Sequence, residues 1–172
     1  RNLAVQLYRA SDVTARRPKV QALRELLLEL IPSVEMVACA ERFEGRREQS
    51  IDPVVVLGVD DMATRTSLSQ RLARRPELAL LIDLRLGGSV MQCLCVRGRC
   101  DMPWYRGTLH LDSEAWGGAC GESPAAHLGA GAAAFVAGAI MAHLRGTDFP
   151  RRIAADFDSG AFVVEPREAA GS

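Results

Sequence analysis

An α/β fold with a partly parallel sheet and a C-terminal β-hairpin is what this sequence predicts. A continuous apolar run at residues 54–59 and a second buried-strand run at 78–84 have the composition of strands buried on both faces, as parallel strands are. Helical patterns flank them, and strands alternating with helices give the α/β architecture. At the C-terminal end, residues 153–157 and 161–164 are split by Asp158-Ser159-Gly160, which reads as a hairpin.

Taken in order, Pro18 suits a first helical position, and residues 19–31 place Val20, Leu23, Leu27 and Leu30 on one helix face. Pro32 and Ser33 stop that helix, and residues 34–39 read as a short strand. Residues 41–52 are polar and read as a loop. After the strand at 54–59, Asp60-Asp61 opens a helix over residues 62–74, ended by Pro76. The strand at 78–84 leads to a turn at Gly87-Gly88. Residues 90–96 form the next strand, with Met91, Cys93 and Cys95 on one face and Val90, Gln92, Leu94 and Val96 on the other. Residues 97–119 are irregular. Ser123-Pro124 then caps a helix over residues 125–144. That stretch carries no charge and has the ~20 residues a membrane span needs. It is mostly Ala and Gly, which gain little from lipid, so a buried helix packed closely on the sheet fits it better.

The 172 residues suffice for one domain with a core and are few for two. Lys and Arg number 21, as do Asp and Glu, so net charge argues for neither nucleic acid nor an anionic membrane. Neither is expected as a partner. Cysteines number 5, an odd count, and no signal peptide is visible, so reduced thiols and a cytoplasmic location are expected. A chain opening on Arg1 rather than Met is expected to continue upstream or to have been processed.

In open α/β sheets the ligand crevice lies beyond the carboxyl ends of the strands. The run at 54–59 ends beside Asp60 and Asp61, so both stand at the mouth of such a crevice. An acid there can hold a magnesium ion that bridges phosphates. It can equally cap the next helix, and two adjacent acids allow both jobs: Asp60 for the metal, Asp61 for the cap. Lys19 is the only lysine in an arginine-rich chain. A compact ammonium contacts phosphate as a point charge, and at a helix N-terminus it opposes the dipole unless an anion is near. A solvated first-turn lysine is the plainer alternative.

Four segments, in order, resemble the ThiF/MoeB family, which includes the activating enzymes for ubiquitin-like proteins. Asn2-Leu3-Ala4-Val5-Gln6 resembles its Asn-Leu-x-Arg-Gln segment, and Arg17-Pro18-Lys19-Val20 its x-Pro-Lys-Val helix start. Gly58-Val59-Asp60-Asp61-Met62-Ala63-Thr64-Arg65 resembles its strand-end Asp-Asn-x-x-x-Arg, and Ala119-Cys120-Gly121-Glu122-Ser123 its late Cys-Gly segment. The resemblance implies a Rossmann-like fold with helices on both faces of the sheet. Residues 1–172 would be a single partial domain whose first βαβ unit, with the glycine-rich GxGGxG turn, lies upstream. The strand at 34–39 would then be orphaned or displaced, with apolar surface beside residues 54–59.

The resemblance further implies adenylation, with Mg-ATP, of the C-terminal carboxylate of a ubiquitin-like or sulfur-carrier protein. The carboxylate attacks the α-phosphate, giving an acyl adenylate and pyrophosphate. By position, Asn2 and Gln6 would line the nucleotide site, Lys19 would contact phosphates, Asp60 would hold the magnesium, and the protein would be a homodimer. The chain departs from the family in two places: Val5 stands for an arginine that helps the phosphates, and Arg16 stands for a usual glycine. A degenerate member that docks a carrier protein or dimerises without turnover is the alternative, and Val5 favours it. A nicotinamide dehydrogenase would need a dinucleotide fingerprint that this sequence does not contain.

Many family members bind a structural zinc through two CxxC pairs. Here Cys93-x-Cys95 and distant Cys100 are the nearest approach, so core packing and no zinc are expected. Cys120 precedes a helix N-terminus, a setting that favours thiolate, and it could accept the acyl group as a nucleophile. A small residue in a tight glycine-containing loop is its structural alternative. His127 and His143 would lie about 24 Å apart on one helix and so cannot share a site. His110 has no identifiable partner.

Overall fold

In β3 (Val90–Arg97) side chains alternate between two cores, and this alternation organises the sheet. Met91, Cys93 and Cys95 face one way; Leu94 and Val96 face the other. That is the division expected from the sequence. The computed structural model describes residues 9–44, 51–109 and 126–167. The chain divides into two units, Arg1–Glu44 and Gly45–Ser172.

Among the described residues of the second unit, five strands form one sheet in the order β1-β2-β3-β4-β5. β1 (Val54–Leu57) runs parallel to β2 (Leu80–Gly87), joined by α3 (Met62–Leu72). β2, β3, β4 (Arg152–Asp156) and β5 (Ala161–Glu165) are mutually antiparallel neighbours. The fold is therefore mixed α/β, with a partly parallel sheet and the C-terminal hairpin in place. The β2–β3 loop is only Gly88-Ser89, and Gly88 takes φ +57, as a tight hairpin of this length requires.

Helices cover both faces of the sheet. α3 buries Met62, Arg65, Leu68, Ser69 and Leu72, one stripe at helical spacing. With α4 (Met102–Arg106) it closes a core of Leu57, Leu68, Leu72, Leu81, Leu94, Val96 and Tyr105. Each fully buried leucine in it contributes about 1.5–3 kcal/mol. α5 (Ala126–Leu144) covers the opposite face, setting Leu128, Ala132 and Ala139 against β2, β3 and β4 residues. A Cβ added to Gly131 would lie 2.6 Å from Cζ of Phe157, so the absence of a side chain admits that ring against the helix.

Three expectations need correction here. α5 is not buried all round. Ala130, Ala133, Ala134, Ala137 and Met141 are exposed, because a helix on a single sheet buries only one stripe. It is also the one described helix long and apolar enough to cross a membrane. Residues 97–119, expected to be irregular, contain α4, in which Pro103 sits in the first turn, where its missing N–H costs nothing. The strand expected at 34–39 does not form. Val34, Met36 and Ala38 are half-buried and Glu35, Val37 and Cys39 exposed, a strand-like alternation without a ladder. Periodicity makes a chain extended, but a strand also needs a partner for its backbone groups.

In the first unit, α1 (Ala10–Thr14) precedes α2 (Lys19–Leu30). Pro18 caps α2 instead of being its first residue. Of the stripe expected on α2, Val20, Leu23 and Leu30 are exposed, and the helix's one buried residue, Ala22, lies outside that stripe. Asp12 is buried and accepts from Arg17 at 2.7 Å and from the Arg9 amide at 3.0 Å. α1 ends on Arg16, at φ +50. The Arg17 amide donates to Asp12 O at 2.9 Å and the Arg16 amide to Val13 O at 3.0 Å. This is a Schellman ending, whose left-handed position favours glycine. α5 ends the same way with Gly146 there, at φ +64.

Candidate functional site

β1 leaves the sheet at Gly58. Its pairing with β2 ends at Leu57 opposite Asp83, and Gly58 to Asp61 run past the strand's carboxyl end into α3. Asp61 caps that helix, its Oδ1 accepting from the Thr64 amide at 2.6 Å. The sequence assigned Asp61 this role. Asp60 is exposed and makes no hydrogen bond or ion pair among the described residues. Its carboxylate is thus available at the mouth of the strand end.

Beneath this mouth lies a buried charge network. Asp83, fully buried on β2, accepts from Arg65 Nε at 3.0 Å, Arg85 Nε at 2.8 Å and Tyr105 Oη at 3.1 Å. Arg65 also donates through Nη2 to the carbonyls of Val59 and, at 2.9 Å, Leu84. Arg85 reaches the Thr108 carbonyl and hydroxyl, each at 2.9 Å. Its guanidinium stands 5.9 Å from the centre of the Tyr105 ring. Two guanidinium groups face one carboxylate, and further N–H groups of each donate to other oxygens, which is how a buried ion cluster offsets its desolvation. Burial, then the neighbouring Asp83, pushes the Tyr105 phenol above its usual range, so it stays a donor.

Sequence reasoning missed Asp83, Arg85 and Tyr105, and it treated Arg65 only as part of a motif. A signal was present. Asp83 is an acid inside the apolar run at 78–84, and a charge buried in such a strand must find partners. Arg85, two residues on, shares its sheet face.

Lys19 is the first residue of α2, exposed, with no acidic residue in that helix's first turn and no ion pair among the described residues. It belongs to the first unit and Asp60 to the second. Asn2, Gln6, Cys120 and His110 lie outside the described residues. His127 is exposed, its ring 5.7 Å from that of Phe157, and His143 is half-buried. Cys93 and Cys95 are buried with their sulfurs 4.0 Å apart. Contact with Cys95, together with burial, pushes the Cys93 thiol up and away from reactivity. Cys100 is exposed.

Away from the strand end, Arg167 ties the sheet to the residues after it. It donates to Cys95 O at 2.7 Å and Phe149 O at 3.1 Å and pairs with Asp101. Glu165 pairs with Arg152 at 2.9 Å and accepts from Trp104 Nε1 at 3.2 Å. These contacts close the fold.

No group of three His, Cys, Asp or Glu side chains close enough to hold a metal occurs among the described residues. Magnesium needs less from a protein. One or two carboxylates suffice when phosphates and water supply the other oxygens. Asp60, a lone free carboxylate at a strand end, fits that donor set. Neither a protein-family model nor a curated protein matches the chain.

Proposed function

We propose that this chain is the later part of an ATP-dependent adenylyltransferase of the ThiF/MoeB type. It would act in the cytoplasm, as a homodimer, on the C-terminal carboxylate of a ubiquitin-like or sulfur-carrier protein. The observation that carries the proposal is the division of labour at the end of β1. Asp61 is spent on the cap, while Asp60, one residue earlier, keeps an uncommitted carboxylate at the crevice position. Among the described residues β1 is also an edge strand with Val56 45% exposed, which suits a Rossmann-like sheet continued by further strands.

In this reading Asp60 would hold magnesium, which when bound supplies charge neutralisation between the phosphates. Lys19 meets phosphate oxygens with its ammonium, and its position on α2, with no acid in the first turn, leaves that charge to a ligand. Asn2 and Gln6 hold the nucleotide. The carrier's carboxylate oxygen attacks the α-phosphate, the α–β bridging bond breaks, and pyrophosphate leaves. In the thioester-forming branch, the Cys120 thiolate attacks the acyl carbonyl and AMP departs. Positioning and charge stabilisation supply most of the rate in such phosphate chemistry.

The test uses the protein with its native upstream residues, Mg-ATP and purified ubiquitin-like or sulfur-carrier proteins. A carrier adenylate detected by mass spectrometry is the expected result. A carrier that binds without becoming adenylated would favour the non-catalytic docking module, the reading that Val5 supports.

A further inference from the structure

The β1–β2 ladder ends at Leu57 opposite Asp83, yet β2 continues to Gly87. Just past Leu57, therefore, the two strands part, and carbonyls on either side lose their ladder partners. The Arg65 guanidinium fills this split. Its Nη2 donates to Val59 O on one side and to Leu84 O at 2.9 Å on the other, while Nε is held by Asp83 at 3.0 Å. Partly buried carbonyls without ladder partners need such donors, and a planar guanidinium can serve several at once.

The Val59 carbonyl belongs to the peptide plane that leads directly into Asp60. That plane is fixed by Arg65, and one residue later Asp61 is fixed by the Thr64 amide at 2.6 Å. Asp60 is thus an exposed side chain on a backbone clamped from both directions. Nothing else among the described residues touches its carboxylate by hydrogen bond or ion pair.

We infer that Arg65 is a positioning residue: held by Asp83, it locks the Val59–Asp60 peptide and so aims the Asp60 carboxylate at the metal–phosphate position. This rests on the adenylyltransferase reading. Arg65→Lys keeps the charge but loses the fork. Arg65→Gln removes the guanidinium and leaves Asp83 paired with Arg85, so no charge is left buried alone.

The measurement is Mn2+ binding in the presence of ATP, read by electron paramagnetic resonance on the protein with its native upstream residues. Loss of a group that orients a metal ligand typically weakens metal affinity about 10–100-fold. Arg65→Lys and Arg65→Gln should each weaken Mn2+ binding by about tenfold while still unfolding cooperatively. Asp60→Ala should weaken it at least as much. Wild-type affinity in a folded Arg65 variant, with Asp60→Ala impaired, would overturn the positioning role alone. Wild-type affinity in Asp60→Ala would remove the metal site and the functional reading with it. A second measurement needs no variant. The Asp60 amide order parameter should be that of rigid backbone, about 0.85, and a value below about 0.6 would overturn the clamp.

Discussion

Arg65 and Asp83 meet beneath the end of β1 with Nε 3.0 Å from Oδ1, and neither side chain is more than 6% exposed. Asp83 is also the anchor of Arg85 and Tyr105, so one carboxylate organises α3, β2 and α4. Asp83→Asn keeps the shape and removes the charge, leaving two guanidinium groups without a counter-ion. Breaking a buried pair in this way costs about 3–5 kcal/mol, and urea denaturation should show it. A loss below about 1 kcal/mol, in the range of exposed pairs, would mean that the cluster is solvated.

Tyr105 gives the network a pH signature. Its phenol is held above the ordinary value near 10, first by burial and then by Asp83, so the folded protein keeps a proton the unfolded chain releases. The stabilisation is complete below about pH 10 and is lost as pH rises beyond it, by up to about 1.4 kcal/mol per pH unit. Tyr105→Phe should cost about 1 kcal/mol at neutral pH for the lost hydrogen bond and should flatten the alkaline slope. An unchanged slope above pH 10 would assign it to other groups.

Arg16 occupies the left-handed closing position of α1, at φ +50, where a side chain costs roughly 1 kcal/mol or more. Arg16→Gly should relieve that cost. Hydrogen exchange at the Arg17 amide, which bonds Asp12 O at 2.9 Å, should slow by about fivefold. Faster exchange would show that the lost backbone entropy of glycine outweighs the relief.

Much of this fold was legible because its signals are local. The 54–59 run gave β1, the alternation of Met91, Cys93 and Cys95 against Leu94 and Val96 gave β3, and Asp158-Ser159-Gly160 gave the last hairpin. The Asp61 cap was legible for the same reason. Residues 34–39 misled because their alternation is local but the partner a strand needs is not. The Asp83 network was hidden for a related reason: Arg65 comes from α3 and Tyr105 from α4, and only tertiary packing brings them to one carboxylate on β2. The Leu23 and Leu30 face of α2 shows that amphipathic spacing marks a face able to be buried, without showing what covers it.

In the proposed adenylation Asp60 and Lys19 would act on the same phosphates, and carrier-dependent ATP–pyrophosphate exchange tests this most directly. Loss of one preorganised charge contact to a reacting phosphate costs about 3 kcal/mol, roughly a hundredfold in rate. In the protein with its upstream residues, Asp60→Ala and Lys19→Ala should each lower exchange by about that factor. The double variant should fall by less than the product, because groups on one ligand are coupled. Asp61→Ala should mainly lose about 1 kcal/mol of stability with its cap and lower exchange by much less than Asp60→Ala does. Near-normal exchange in folded Asp60→Ala and Lys19→Ala would contradict the account.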